Sequence, residues 1–160
     1  VPALDDDGQL LTQSLAIIEY LDETHPHPPL LPADAPGRAR VRALAQAIAC
    51  DIHPLNNLRV LQYLKRELGV DDVHRDAWYR HWVEVGLAAV EAMLRHPRTG
   101  RFCHGDTPGV ADCCLVPQVF NARRFGAKLD AMPTVLRIVE ACETLDAFRL
   151  AAPAQQPDAQ

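Results

Sequence analysis

Between His25 and Pro36 the chain carries five prolines, at positions 26, 28, 29, 32 and 36. Each fixes φ and removes a backbone donor, so neither a helix interior nor a central strand passes through this stretch. It reads as an extended linker over 25–36, dividing a short front part from a long rear part. In front, Val1-Pro2-Ala3-Leu4 reads as a strand, Asp5-Asp6-Asp7-Gly8 as a turn and Gln9 to Thr12 as a second strand. The Asp-Gly step between apolar runs is a hairpin signal. Ser14 is placed as the N-cap of a helix carrying Leu15, Ile17, Ile18 and Leu21 at helical spacing.

Behind the linker the pattern is helical throughout. Val41, Leu44, Ala45, Ile48 and Ile52 recur at three- and four-residue steps, as one helix face does. Pro54 should kink or break that helix, and Leu55 to Leu68 resumes it until Gly69. A long helix is expected from about Asp72 to Leu94, with Trp78, Trp82, Val85, Ala89 and Met93 as its apolar stripe. Residues 110 to 121 are apolar on nearly every side, which places a helix at the centre of a bundle. A helix follows Pro133, a short one surrounds Leu145 to Leu150, and the tail from Pro153 reads as frayed.

The net charge of −5, with scattered Lys and Arg, argues against a nucleic-acid partner. No apolar run approaches the roughly 20 residues of a membrane span. Five cysteines, with no Cys-x-x-Cys and no zinc spacing, fit buried thiols in a reducing cytoplasm better than a disulfide scaffold. His25 and His27 have no third partner in sequence, so no metal is expected.

Particular runs then resemble a family. Val1-Pro2-Ala3-Leu4 with Leu11-Thr12-Gln13-Ser14-Leu15-Ala16-Ile17-Ile18-Glu19-Tyr20-Leu21 resembles the second half of a glutathione transferase N-terminal domain. Pro28-Pro29-Leu30-Leu31-Pro32 resembles its linker. Cys50-Asp51-Ile52-His53-Pro54-Leu55-Asn56-Asn57-Leu58-Arg59-Val60-Leu61 resembles the zeta class in particular. Gly105-Asp106-Thr107-Pro108, Ala111-Asp112, Pro117-Gln118 and Asn121-Ala122-Arg123-Arg124-Phe125 continue the likeness, over about residues 1 to 150.

The resemblance implies a glutathione transferase fold, with part of a thioredoxin-like α/β domain over 1–24, the linker over 25–36, an all-α domain over 37–152 and a tail over 153–160. It implies a glutathione-dependent isomerase in aromatic-compound breakdown, acting on maleylacetoacetate or alternatively on maleylpyruvate. In that chemistry the thiolate adds to the cis double bond, rotation follows, and elimination gives the trans dicarboxylate. The Ser-rich segment that activates the sulfur is expected ahead of Val1, so no catalytic residue is assigned within this chain and the chain alone is expected to be inactive. A homodimer is implied for the whole protein. A third reading is a non-catalytic binding module of the same fold.

Site residues follow from the same likeness. Pro2 would be a cis proline that turns the Val1 main chain toward the cysteinyl group of glutathione. Gln13 and Ser14, at a helix N-terminus, would take the γ-glutamyl carboxylate. His53 and Asn57, four residues apart on a regular helix, would share a face toward glutathione. Arg124 is the expected clamp for a substrate carboxylate, since a guanidinium fork matches that geometry. Arg59, about 200° round an ideal helix from Asn57, is a weaker substrate candidate. Arg123 is read as solvated. Asp112 is read as structural, reaching back to a helix start where Gly109 replaces the family's Ser or Thr.

Overall fold

The computed structural model describes residues 2–157. Asp7 and Gly8 have φ of 50° and 87°, the positive pair of a type I′ turn, whose twist matches that of the strands it joins. The strands are β1 (Ala3–Asp6) and β2 (Gln9–Thr12), antiparallel, with Ala3 opposite Thr12 and Asp6 opposite Gln9. Two of the aspartates read as turn are thus paired strand residues. Asp5 Oδ1 accepts the Gly8 N–H at 2.9 Å and tightens the turn.

The helix that follows, α1, spans Ser14–Thr24, and its N-cap is Gln13. Ser14 is the first helical residue, a correction to its expected place as cap. The Tyr20 hydroxyl donates to Asp6 Oδ2 at 2.5 Å and holds α1 against β1. After His25 the linker folds back, because Leu30 N–H donates to Asp22 Oδ1 at 2.6 Å. Asp34 caps the next helix, α2 (Ala35–Gln46), by accepting from Gly37 N–H at 2.9 Å. Pro36 therefore belongs to the first turn of a helix, where its missing N–H costs nothing.

The rest of the chain is helical. A π-helical turn (Ala47–Ile52) and a 3₁₀ turn (His53–Asn56) follow α2 directly. Then come α3 (Leu58–Arg66), α4 (Asp72–Met93), α5 (Val110–Arg124), α6 (Pro133–Glu143) and α7 (Asp146–Ala151). The start of the tail, up to Gln156, is more ordered than its composition predicts. Pro153–Gln155 forms a 3₁₀ turn, and Gln156 Nε2 donates to Leu150 O at 2.8 Å.

One apolar cluster joins Val41, Leu44, Ile48 and Ile52 to Val83, Leu87 and Val90, and these to Leu115, Val119, Val135 and Ile138. At its centre lies α5, packed on α2, α4, α6 and the π-helical turn. Its Pro117 and Phe120 are nevertheless exposed, so one edge meets solvent. The stripe expected for α4 is rotated. Tyr79, Val83, Leu87 and Val90 are the buried row, while Val85 is 51% exposed. Trp78 and Trp82 flank that row and drew the reading away from it, because a large half-buried aromatic outweighs a buried valine in an apolar pattern.

Buried carboxylates close two helix starts. Glu91 of α4 accepts the N–H groups of Thr134 and Val135 at 3.2 and 2.9 Å, capping α6 where Met132 offers no side-chain bond. Asp112 accepts Gly109 N–H and Cys103 N–H, each at 2.9 Å. Burial pushes the Asp112 carboxyl up, against these two bonds. A Cβ on Gly109 would stand 2.6 Å from Leu30 O, so the crossing linker explains the glycine at this cap. No helix of the described residues is long and apolar enough to cross a membrane.

Candidate functional site

The strand-to-helix junction is the first part of the site. Gln13 has φ 72° and ψ 118°, a sparsely populated conformation for a residue with a Cβ, held between β2 and α1. The first backbone bond of α1 runs from Ile17 N–H to Gln13 O at 3.0 Å. The N–H groups of Ser14, Leu15 and Ala16 precede it, and no side chain caps them. No acidic residue stands in the first turn. Open donors and the positive end of the helix dipole converge there, which is the arrangement that receives a carboxylate. Val1 lies outside the described residues, and with it the expected cis bond to Pro2.

Segment 47–61 is the second part, and its geometry differs from a kinked helix. The chain widens into the π-helical turn, whose closing bond runs from His53 N–H to Ile48 O, five residues back. Pro54 then opens the 3₁₀ turn, where its lack of a donor is harmless. Asn57 leaves the helix altogether (φ −64°, ψ 146°) and caps α3, its Oδ1 accepting from Arg59 N–H at 3.2 Å. His53 and Asn57 therefore do not share the face of one helix, and the 200° separation of Asn57 from Arg59 has no meaning here. His53 and Arg59 are exposed and Asn57 is half-buried.

Helix α4 anchors this segment. Trp78 Nε1 donates to Leu55 O at 2.9 Å, and Asn56 Nδ2 donates to Tyr79 O at 3.4 Å. A Cβ on Gly86 would stand 2.3 Å from Ile52 Cγ1, so glycine lets α4 approach the π-helical turn.

The third part is the end of α5. Phe125 stacks on Tyr79, with ring centroids 3.7 Å apart and planes 9° from parallel. Gly126, at φ 67°, then turns the chain away. Arg123 pairs with Glu143 Oε1 at 3.1 Å, so it is tied where solvent alone was expected. Arg124 is exposed and has no ion pair among the described residues. An arginine left free beside a partner-bound one is the cation available to an incoming anion.

Tyr79 joins the second and third parts, since its carbonyl accepts from Asn56 and its ring carries Phe125. The first part is joined to α2 by Arg42 and Glu19, whose two bonds are both 2.8 Å. These couplings were not legible in sequence, because 23 residues separate the members of each pair and no local spacing links them. No group of three or more His, Cys, Asp or Glu among the described residues is placed to hold a metal.

Comparison with known proteins places this geometry. The glutathione S-transferase N-terminal domain matches residues 1–29, and the C-terminal domain matches residues 76–149. A maleylpyruvate isomerase of Ralstonia sp is 55% identical over 99% of this chain and 75% of its own length. A maleylacetoacetate isomerase of Rhizobium meliloti is 52% identical over 96% of this chain and 72% of its own. The holo structure of a maleylpyruvate isomerase, a bacterial zeta-class glutathione transferase, superposes with a TM-score of 0.97 at 54% identity, covering all of this chain and 76% of that one.

The chain belongs to the zeta-class glutathione transferase family. A second structure, a maleylacetoacetate isomerase of Methylobacterium extorquens AM1 with bound malonate and glutathione, is 44% identical with a TM-score of 0.96, over all of this chain and 76% of that one. Within this zeta-class chain the hairpin and α1 form the short two-stranded N-terminal part, and α2 to α7 form the helical part.

Proposed function

We propose that this protein is a glutathione-dependent cis–trans isomerase of maleylacetoacetate. The observation that carries the reading is the junction at Gln13, where a strained φ of 72° and an uncapped helix leave backbone donors facing an anion. Relatives named as isomerases of maleyl keto acids, more than half identical over nearly the whole chain, supply the reaction class.

Bound glutathione supplies the sulfur nucleophile. Gln13 and Ser14 hold its γ-glutamyl carboxylate, and the Val1 main chain pairs with its cysteinyl group. His53 and Asn57, on the segment anchored by Trp78, reach the tripeptide from the helical unit. Arg124, without an ion pair among the described residues, holds a substrate carboxylate and neutralises charge that develops toward it, with Arg59 as the second cation. The dicarboxylate is thus fixed by arginines while the thioredoxin-like side holds the sulfur. A homodimer fits the small, exposed residues Ala88, Ala89 and Ala92 beside Val85 and Met93 along α4. Five free thiols fit the cytoplasm.

Maleylpyruvate is the second reading, favoured by the 55% identity to the Ralstonia enzyme. The test follows the cis-to-trans conversion of both substrates by proton NMR, with and without glutathione, using the protein its complete gene encodes. A kcat/KM at least tenfold higher for maleylacetoacetate supports the first reading, and the reverse ratio supports the second. Conversion that proceeds equally without glutathione, or no conversion of either, overturns both.

A further inference from the structure

Tyr79 is 5% exposed, and its ring is fixed by the stack on Phe125. Its hydroxyl makes no hydrogen bond among the described residues. The side-chain atoms that are both sealed from solvent and unpartnered are Asn56 Oδ1 and Gln118 Nε2. The Tyr79 oxygen is unpartnered yet not sealed, so the small area this residue leaves open includes its hydroxyl. A tyrosine so far buried ordinarily finds a partner for its O–H. Here the ring is locked by packing and the donor is left free at the surface.

Arg124 is exposed and immediately precedes Phe125, so the stack sets the end of α5 that carries this arginine beside the Tyr79 ring. Burial holds the Tyr79 phenol above its ordinary value of 10.0, and the charge of Arg124 works against that push. Arg124 has a free fork and Tyr79 a free, rigid O–H. A carboxylate has about four lone-pair positions, and an arginine fork uses two of them.

We propose that Tyr79 is a substrate-binding residue whose hydroxyl donates a hydrogen bond to the carboxylate held by Arg124. This rests on the reading of Arg124 as the substrate clamp, and it adds a neutral donor to that clamp. The O–H fixes the carboxylate plane, which a single exposed arginine leaves free to swing. It favours a dicarboxylate over an analogue with an ester at that end, because an ester offers a weaker acceptor.

The probe is malonate, titrated calorimetrically into the glutathione-saturated protein that the complete gene encodes. Tyr79→Phe keeps the ring stack and removes no bond within the protein, so its melting temperature should stay at the wild-type value. Its malonate dissociation constant should rise about tenfold, the loss expected for one hydrogen bond to a charged group, with glutathione affinity unchanged. Monomethyl malonate should lose part of its disadvantage against malonate in the variant, the rest being set by Arg124. Malonate should also perturb the tyrosine ultraviolet difference spectrum of the wild type, a signal that needs no variant to fold.

Wild-type malonate affinity in Tyr79→Phe, with Arg124→Ala weakened, overturns the Tyr79 assignment and leaves the clamp standing. Unchanged affinity in Arg124→Ala, or no malonate binding by the wild type, overturns the clamp and the Tyr79 assignment with it. Isomerase activity measured in parallel reports on the proposed reaction separately.

Discussion

Arg42 grips Glu19 through two parallel bonds, Nε to Oε1 and Nη2 to Oε2, each 2.8 Å, and so ties α1 to α2. The hydrogen bonds from Arg42 hold the Glu19 carboxyl below the ordinary glutamate value of 4.5. The pair is partly exposed, at 41% and 31%, and such pairs contribute on the order of 0.5 kcal/mol. Its consequence lies in docking more than in global stability. A carboxyl whose folded value is depressed stabilises fully above 4.5, and that contribution is lost as the pH falls through the folded value. Glu19→Gln should flatten this part of the acid limb. In limited proteolysis at neutral pH, Arg42→Ala should be cut faster in the linker between His25 and Asp34 than wild type. Equal cutting rates would contradict a docking role.

Gly86 and Ile52 set the distance between α4 and the π-helical turn. A methyl group at 86 meets Ile52 Cγ1 at 2.3 Å and Cδ1 at 2.7 Å, inside any tolerable contact. Gly86→Ala should destabilise by about 2 kcal/mol, as overpacked cores do. It should also weaken glutathione, because displaced Ile52 carries His53 with it. Adding Ile52→Ala makes room and should recover part of both losses. Chemical denaturation and glutathione titration of the single and double variants check this; additive losses would mean that the two residues do not compete for the same space.

Asp112 shows how a buried charge is kept. It is 1% exposed and accepts the N–H groups of both Cys103 and Gly109. Asp112→Ala should cost about 3 kcal/mol, a melting shift of roughly 10 °C for a chain of this size, because one buried and one half-buried N–H group lose their acceptor. The pH trend runs opposite to that of Glu19. Burial raises the Asp112 carboxyl, so its ionisation costs stability as the pH rises above the ordinary 3.8. Asp112→Asn should remove that slope. Calorimetric scans from pH 3 to pH 7 separate the two trends.

The hairpin, α1 and the helices from α4 onward were legible because each has a local cause. Asp7-Gly8 supplies the positive φ pair, the prolines stop α1, and the apolar residues of α2 and α5 recur at helical steps. The stretch from Ala47 to Asn57 was not legible in the same way. A π-helical turn and a 3₁₀ turn leave the apolar spacing almost unchanged while rotating every later side chain, so His53 and Asn57 kept a helical interval without a helical relation. Arg124 illustrates a second limit. Its residue type and place at the end of a helix are sequence facts, but its freedom depends on Arg123 taking Glu143, 20 residues on.

Arg124 and Arg123 invite a paired test. Arg124→Ala should raise the KM for a dicarboxylate about a hundredfold in the protein that the complete gene encodes, the loss expected when a charge-assisted fork is removed, with the glutathione dissociation constant unchanged. Arg123→Ala should leave both within about twofold and cost on the order of 0.5 kcal/mol of stability, since its pair with Glu143 is exposed. Steady-state kinetics on both variants check the assignment. A larger KM effect at 123 than at 124 would reverse the roles.

Gln13 sets stability against binding. A residue with a Cβ held at φ 72° stores roughly 1–2 kcal/mol of strain, which glycine does not share. Against this, glycine gives the unfolded chain more freedom, at about 0.5–1 kcal/mol. The balance should leave Gln13→Gly equal to or up to about 1.5 kcal/mol more stable than wild type. The same change removes the side chain beside the open N–H groups of Ser14, Leu15 and Ala16, and frees a backbone that was held ready for the ligand. Glutathione should bind about tenfold more weakly to Gln13→Gly, whereas Ser14→Ala should weaken it with no gain in stability. Melting curves and calorimetry on the two variants provide the comparison. A stabilised Gln13→Gly that binds glutathione as well as wild type would mean that the strain serves the fold of the junction, and that the carboxylate is held by the helix N-terminus without the help of Gln13.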